Sequence, residues 1–490
     1  MPQNSESPIQ TNASQATNST ITASTVQSEK QLTLGTYSIS KLLVQYSVPA
    51  IIASVATSLY NIIDSIFIGH GVGAMAITGL AITFPLMNLV VAFCTLIAVG
   101  GATISSIFLG QKNFSRATDV VNNVMLVCFL HAIIFGGISF IFLDKILYFF
   151  GATAETISYA REFMEVILLG TPLTYVFLGL NNIMRATGYP RKAMISALLS
   201  VAVNLVLCPL FIFYFKWGIK GAAFATLCGQ TVACVWVVHH FSQKKSNVHF
   251  DLRRRWFVWP LVKRMYGIGL SPFLMNVAAC FVVVFLNNRL LEVGGIEGNT
   301  CVGAYGILNR TTMVFVMIVF GVTQGMQPIL GYNFGANNWD RVKQTLKKGL
   351  LIGAGVTIVG WLLTELFPDA LSSMFTTDEA MIRIAREGFR IYFICYPVVG
   401  VQIVIQNFFQ SVGHPVPSIL LSLTRQLIFL LPFLWFLPKY FGVNGVWMSM
   451  TGSDLLAAIV AIIILCFWFR KINRRFKDTG SLHKPVVNRA

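Results

Sequence analysis

The sequence predicts an all-α membrane protein, with twelve transmembrane helices in two six-helix bundles related by a pseudo-twofold axis along the membrane normal. Three observations lead there. The chain repeats itself: GQKNFSRATDVV at 110–121 returns as GANNWDRVKQTL at 335–346. The same shift of 225 positions carries Ala160-Arg161-Glu162 onto Ala385-Arg386-Glu387, Pro172 onto Pro397, and Gly188-Tyr189-Pro190 onto Gly413-His414-Pro415. A shift of 224 carries Gly218-Ile219-Lys220-Gly221 onto Gly442-Val443-Asn444-Gly445. Composition is the second observation, since 55% of residues are apolar and 11% charged, with a mean hydropathy of +0.69, whereas soluble domains carry about 25% charge. Third, apolar stretches long enough to cross a bilayer come six to each repeat.

The predicted spans lie near 42–68, 77–106, 117–143, 158–184, 192–215 and 221–241, then 264–291, 301–332, 348–367, 388–412, 416–437 and 443–469. No water in the hydrocarbon core satisfies a free backbone group, so spans of this length are expected to be α-helices. Pro49, Pro172 and Pro397 fall inside them and mark kinks. An even number of spans returns each repeat to its starting side, which gives the two halves one orientation and places a site between them.

Around these spans the chain divides into a polar tail at 1–35, an N-lobe at 36–242, a basic linker at 243–263, a C-lobe at 264–470 and a basic tail at 471–490. The first tail is rich in Ser, Thr, Asn and Gln and is expected to be disordered, and the first apolar stretch is too long for a secretory signal. Most of the 36 Lys and Arg fall in the two tails, the linker and the loops on the same side, so both termini are expected to be cytoplasmic. The sequons at Asn12 and Asn18 then escape glycosylation. The net charge of +17 is read as this topogenic bias together with lipid head-group contact at Arg253-Arg254-Arg255, not as nucleic-acid binding.

Nine cysteines are scattered through apolar spans without metal-ligand spacing, so neither disulfides nor a metal site is expected. The polar groups within the spans carry the functional information, because an ionisable group in hydrocarbon is costly. Asp64 stands foremost. With Ser54, Thr57 and Asn61 it forms a polar stripe at spacings of three and four on the first span. A carboxyl in low dielectric favours its neutral form and is a natural proton carrier; the competing reading is a plain hydrogen bond to a neighbouring helix. Asp454, after Gly452-Ser453 in the last span, is a second intramembrane acid with the same two readings.

Pro49 followed by Tyr60-Asn61-Ile62-Ile63-Asp64-Ser65-Ile66-Phe67-Ile68-Gly69 resembles the first helix of multidrug and toxic compound extrusion (MATE) transporters, in the DinF-like prokaryotic branch among its MepA-like members. Further marks are Arg185-Ala186-Thr187-Gly188, Asn204 to Phe211 in the fifth span, and Gly218 to Ala223 entering the sixth. The resemblance covers nearly the whole chain after residue 35. It implies that Asp64 couples ion movement to transport, that the first helix bends at Pro49, and that Asn61, Asn204 and Thr226 surround the acid. One position departs from the pattern: many relatives hold an acid where this chain has Cys208, one turn beyond Asn204. Hard cations want oxygen ligands, so the loss favours H⁺ over Na⁺ as coupling ion. The acidic pair of the NorM-like branch has no counterpart, and no C-lobe Na⁺ site is carried over.

The expected function is cation-coupled antiport of amphipathic, often cationic organic molecules by alternating access, in a monomer of the bacterial cytoplasmic membrane with no cofactor beyond the coupling ion. Met87, Met184, Met275, Met313 and Met317 with Phe84, Phe177, Phe273 and Phe315 suit an adaptable cavity. Tyr60, Asn181, Asn276, Gln324, Gln402 and Gln406 are candidate orienting groups, and Arg310 and Arg425 require an acid, a carbonyl or an anionic ligand. Two alternatives remain. A lipid-linked oligosaccharide flippase needs several cations in its cavity, and only Arg310 and Arg425 are present. A membrane-embedded enzyme needs a catalytic constellation, and His131 stands alone while His239-His240 lies at a helix end.

Overall fold

The computed structural model describes residues 33–243, 246, 248–251, 253–480 and 482, and among them every regular element is a helix. Residues 1–32 with both sequons, Lys244 and Lys245 of the linker, and residues 483–490 lie outside the described residues. The predicted disordered tail is corrected at its end, where Thr33 to Thr36 form a helical turn with Leu34 buried.

The first half begins with α1 (Ile39–Gly71), which runs unbroken through Pro49, and α2 (Ala74–Gly110). Helix α3 (Phe114–Ile141) is started by Asn113, whose side chain accepts the Arg116 N–H at 3.1 Å and satisfies one of the first-turn donors. A short helix, Leu143–Phe149, follows. Helix α4 has two halves, Ile157–Leu169 and Thr171–Ala186, bent by 56° at Gly170 just before Pro172. Helix α5 (Pro190–Pro209) widens into the π-helical turn Leu210–Tyr214, next to a proline that offers no N–H to the ladder, and α6 is Gly218–Ser242.

The second half holds α7 (Trp259–Gly294), α8 (Gly298–Gly335) and α9 (Trp339–Leu366). Helix α10 combines Glu379–Tyr392, a 3₁₀ turn and Tyr396–Ser411, broken ahead of Pro397 as α4 is ahead of Pro172. Helix α11 starts at Pro415 and passes through the π-helical run Thr424–Leu430. The following run, Leu431–Thr479, breaks at Gly442 (φ 55, ψ −135); its first part completes α11 and its remainder is α12.

Among the described residues nine helical runs are long and apolar enough to cross a membrane, or ten with the bent α4. Two of them, Trp259–Gly335 and Pro415–Thr479, turn back at Gly295 and Gly442, which is consistent with twelve passes. The predicted spans fall short at their ends because hydropathy marks only the apolar part of a helix. Helix α12, expected to end at 469, continues to Thr479 through a basic last stretch.

The repeat extends to backbone conformation. Lys112 (φ 58) and Asn337 (φ 59) both adopt the left-handed region 225 positions apart, as do Gly188 (φ 101) and Gly413 (φ 72). Gly218 (φ 61) and Gly442 (φ 55) recur at 224. Duplicated turns, and not merely duplicated apolar stretches, relate the halves.

The halves meet along a seam of α1 against α8 and of α2 against α7 and α8. A Cβ on Gly269 of α7 would fall on the Leu96 carbonyl of α2, and one on Gly100 of α2 on the Met265 carbonyl of α7. Gly110 and Gly335 interlock with Tyr332 and Ile107 in the same way. Lipid tails are as apolar as Leu, so helices hold together in a membrane by such close packing and by interhelical hydrogen bonds. Two are present: Gln327 Nε2 donates to Thr103 Oγ1 at 2.8 Å and Ser47 Oγ to the Val322 carbonyl at 3.3 Å. These contacts lie on the side that carries the termini and the linker. Gly269→Val is expected to force the seam apart at a cost of about 1–3 kcal/mol and to lower the unfolding temperature of the purified protein. Gly355→Val, where a Cβ meets open space, should leave that temperature in place.

Candidate ion-coupling and substrate site

Asp64 lies near the end of α1, buried to 7% exposure against α5. Its partner is Cys208 in the last turn of α5, whose thiol donates to Asp64 Oδ1 at 2.8 Å. One turn earlier, Asn204 Nδ2 donates to Thr226 Oγ1 of α6 at 3.0 Å, and the Asn204 Oδ1 has no protein partner. Three helices thus bring together Asp64, Cys208, Asn204 and Thr226, all buried. The cluster offers a carboxylate, an unsatisfied amide oxygen and a hydroxyl around a thiol. Tyr60 is half-buried one turn from Asp64.

The polar stripe on α1 divides. Thr57 and Asn61 are exposed, and Thr57 bonds back to the Ala53 carbonyl of its own helix. Asn61, expected beside the acid, stays on the surface because Asp64 turns toward α5 and its neighbour three residues back does not follow. Ser58 faces the other half and donates to Met317 Sδ of α8 at 2.8 Å.

Several candidate cavity residues serve packing instead. Met184 is fully buried, and Asn181 donates to the Ala193 carbonyl at 3.0 Å and Ser196 Oγ at 2.6 Å, binding α4 to α5. Asn276 bonds the Pro272 carbonyl of its own helix at 2.8 Å. Gln406 approaches Met275 Sδ at 3.5 Å, joining two predicted residues across α10 and α7. Gln402 is buried with its Oε1 unpartnered, and Arg310 is exposed on α8.

Arg425 has found an acid. From the π-helical run of α11 its Nε donates to Asp454 Oδ1 of α12 at 2.6 Å and its Nη2 to Oδ2 at 3.3 Å. This two-pronged pair joins α11 to α12, so Asp454 is compensated by a fixed cation whereas Asp64 is held by a neutral thiol. Sequence reasoning weighs both residues but does not join them, since 29 positions and a reversal at Gly442 separate them. The repeat holds a hint: 224 positions before Asp454 stands Gln230 of α6, whose Oε1 accepts from Thr174 Oγ1 of α4 at 2.5 Å. Asp64 itself has Arg289 as its repeat counterpart, ion-paired with Glu292 and stacked 4.5 Å over Trp435. The halves therefore carry opposite charge at equivalent positions. Sequence reasoning also misses the bond from Arg185 of α4 to Gln324 Oε1 of α8, which crosses the seam.

The profile of the MatE family matches residues 49–210 and 273–436. The chain belongs to the MatE family. Multidrug export protein MepA of Staphylococcus haemolyticus (strain JCSC1435) is 26% identical over 445 residues, 91% of this chain and 96% of that protein. The MATE multidrug transporter DinF-BH, solved in complex with a small organic molecule, is 33% identical, with a TM-score of 0.81, and covers 88% of this chain and 96% of its own. A MATE crystal structure in the bent conformation, 22% identical, shares the fold with a TM-score of 0.85 over 92% of this chain and 98% of its own. Family members of this kind are multi-pass membrane transporters, and the enzyme alternative is set aside on that ground.

The pairing of Arg425 with Asp454 makes a direct prediction for a family member of this build. Arg425→Met leaves the Asp454 carboxylate buried without its cation and should cost about 3–5 kcal/mol, read as a lower unfolding temperature in detergent. The double variant Arg425→Met/Asp454→Leu should recover most of the loss. A single variant as stable as the native chain would show that the pair contributes nothing.

Proposed function

We propose that this protein is an H⁺-coupled multidrug efflux antiporter, taking amphipathic, often cationic organic molecules from the cytoplasm or inner leaflet and releasing them outside. The observation that carries the reading is the N-lobe cluster, in which the buried Asp64 faces a thiol where a second acid would complete a sodium site. A single carboxylate with one amide oxygen and one hydroxyl is a poor cage for a hard cation. It is sufficient to take up and release a proton. Support for the substrate class comes from the relatives: one is named for multidrug export, and a multidrug transporter was solved with a small organic molecule bound.

The cycle follows from the fold. The seam is closed on the linker side, which the distribution of Lys and Arg makes cytoplasmic, in a monomer of the bacterial inner membrane. Rocking of the lobes at 36–242 and 264–470 then alternates access. Protonation of Asp64 changes the bend of α1 at Pro49, the one proline in that helix, and so reshapes the N-lobe cavity. The flippase alternative weakens on this geometry, because Arg425 is spent on Asp454 and leaves Arg310 as the single candidate cation named for that role.

Asp64→Asn keeps volume and hydrogen bonding but cannot exchange a proton. In vesicles with imposed gradients it is expected to abolish proton-driven dye efflux while dye binding persists, and Asp64→Glu should be partly active. For the native protein, raising the external pH lowers the inward proton gradient and should slow efflux. Native-rate, gradient-dependent export by Asp64→Asn would make Asp64 structural.

Cys208→Asp places a second carboxylate against Asp64 and is expected to confer a sodium response on transport. Efflux by the folded variant that stays indifferent to sodium over roughly a hundredfold concentration range would count against the thiol as the determinant of ion choice.

A further inference from the structure

On the linker side the segment entering the first helix of each half is tied to the third helix of the opposite half. The lead-in to α1 is held from the second half. Arg341, in the first turn of α9, donates through Nη2 to the carbonyls of Leu34 at 3.1 Å and Tyr37 at 2.7 Å, and through Nε to Asn333 Oδ1 at 3.0 Å. Asn333 Nδ2 donates to the same Leu34 carbonyl at 3.2 Å, and Lys348 reaches Ser40 Oγ at 2.5 Å.

The lead-in to α7 is held from the first half. Arg254 Nη1 donates to Ser115 Oγ at 2.6 Å and pairs with Asp119 Oδ1 at 3.1 Å, both on α3. Asn122 Nδ2 donates to the Asp251 carbonyl at 2.8 Å, and Asn123 Oδ1 accepts the Val258 N–H at 2.7 Å, one residue before α7 begins. Asn122, Asn123 and Asn333 are fully buried.

Duplication alone does not account for this crossed arrangement. The repeat counterpart of Arg341 is Arg116, which lies over the Phe108 ring and holds no lead-in; the guanidinium of the second tie comes from the linker itself. Two different sets of residues make the same cross-tie. Each set joins parts that must separate if the seam of α1 and α2 with α7 and α8 opens on this side, since the ties attach at the bases of the two first helices.

We propose that Arg254 and Arg341 are paired gate residues that hold the linker-side seam shut, and that both ties break in each transport cycle. The purpose assigned to them rests on the transport reading above, but the ties can be tested without transport. Hydrogen–deuterium exchange of the full-length native protein in lipid nanodiscs is compared with Arg341→Ala and Arg254→Ala, reading the seam at residues 100–110 and 325–335. Loss of one charge-assisted bond is expected to raise seam exchange about tenfold in either variant, with Arg341→Lys in between. Faster exchange confined to residues 33–40 or 248–258, with the seam unchanged, would overturn the proposal and leave two local ties. Should Arg341→Ala fail to fold, Asn123→Ala gives the same reading on the other tie. An absence of dye efflux by the native protein would sink the transport reading and leave the exchange result standing.

Discussion

The architecture depends on backbone meeting backbone along one seam. In hydrocarbon no hydrophobic force draws helices together, so the halves hold by close packing where glycine removes the side chain. Gly100 with Gly269, and Gly110 with Gly335, let α2 lie directly on α7 and α8. The seam closes the molecule on one side, and the polar clusters of each half are displaced to either side of it.

Those clusters differ in how they handle charge. In the second half an acid is matched by a guanidinium fork, Asp454 with Arg425, and a pair of this kind is strongly destabilised when one partner is removed. In the first half the acid meets a neutral donor, Cys208, with a free amide oxygen one turn away. A compensated carboxylate is fixed in one state, whereas one held by a thiol can exist with or without its proton. The duplicated chain has thus specialised one half for an exchangeable charge and the other for a permanent one, and Arg289 opposite Asp64 carries the asymmetry further.

Much of the candidate site is legible in the sequence. Asp64, Asn204 and Thr226 stand out by their place in apolar spans and by a family resemblance, and the structure brings them together with Cys208. Asn61 and Asn181 stand out on the same grounds and behave otherwise. Helical spacing places a residue on a face only to within a wide sector, and which part of that sector touches a neighbour depends on how the next helix is tilted. Asn181 reads as an orienting group in the sequence and proves to be a tie between α4 and α5.

The sequence by itself determined the number and type of the elements, their pairing into two repeats, and even the turns at Lys112 and Asn337 or Gly188 and Gly413. These follow from local rules: backbone groups in lipid must bond within their own helix, and a left-handed turn suits few residues. Tertiary structure alone decided that Arg425 would meet Asp454, that Arg341 would hold the start of α1, and that Cys208 would point at Asp64. Each of these joins residues tens to hundreds of positions apart, and a contact between two helices depends on their rotation and tilt, which no pattern within either helix contains.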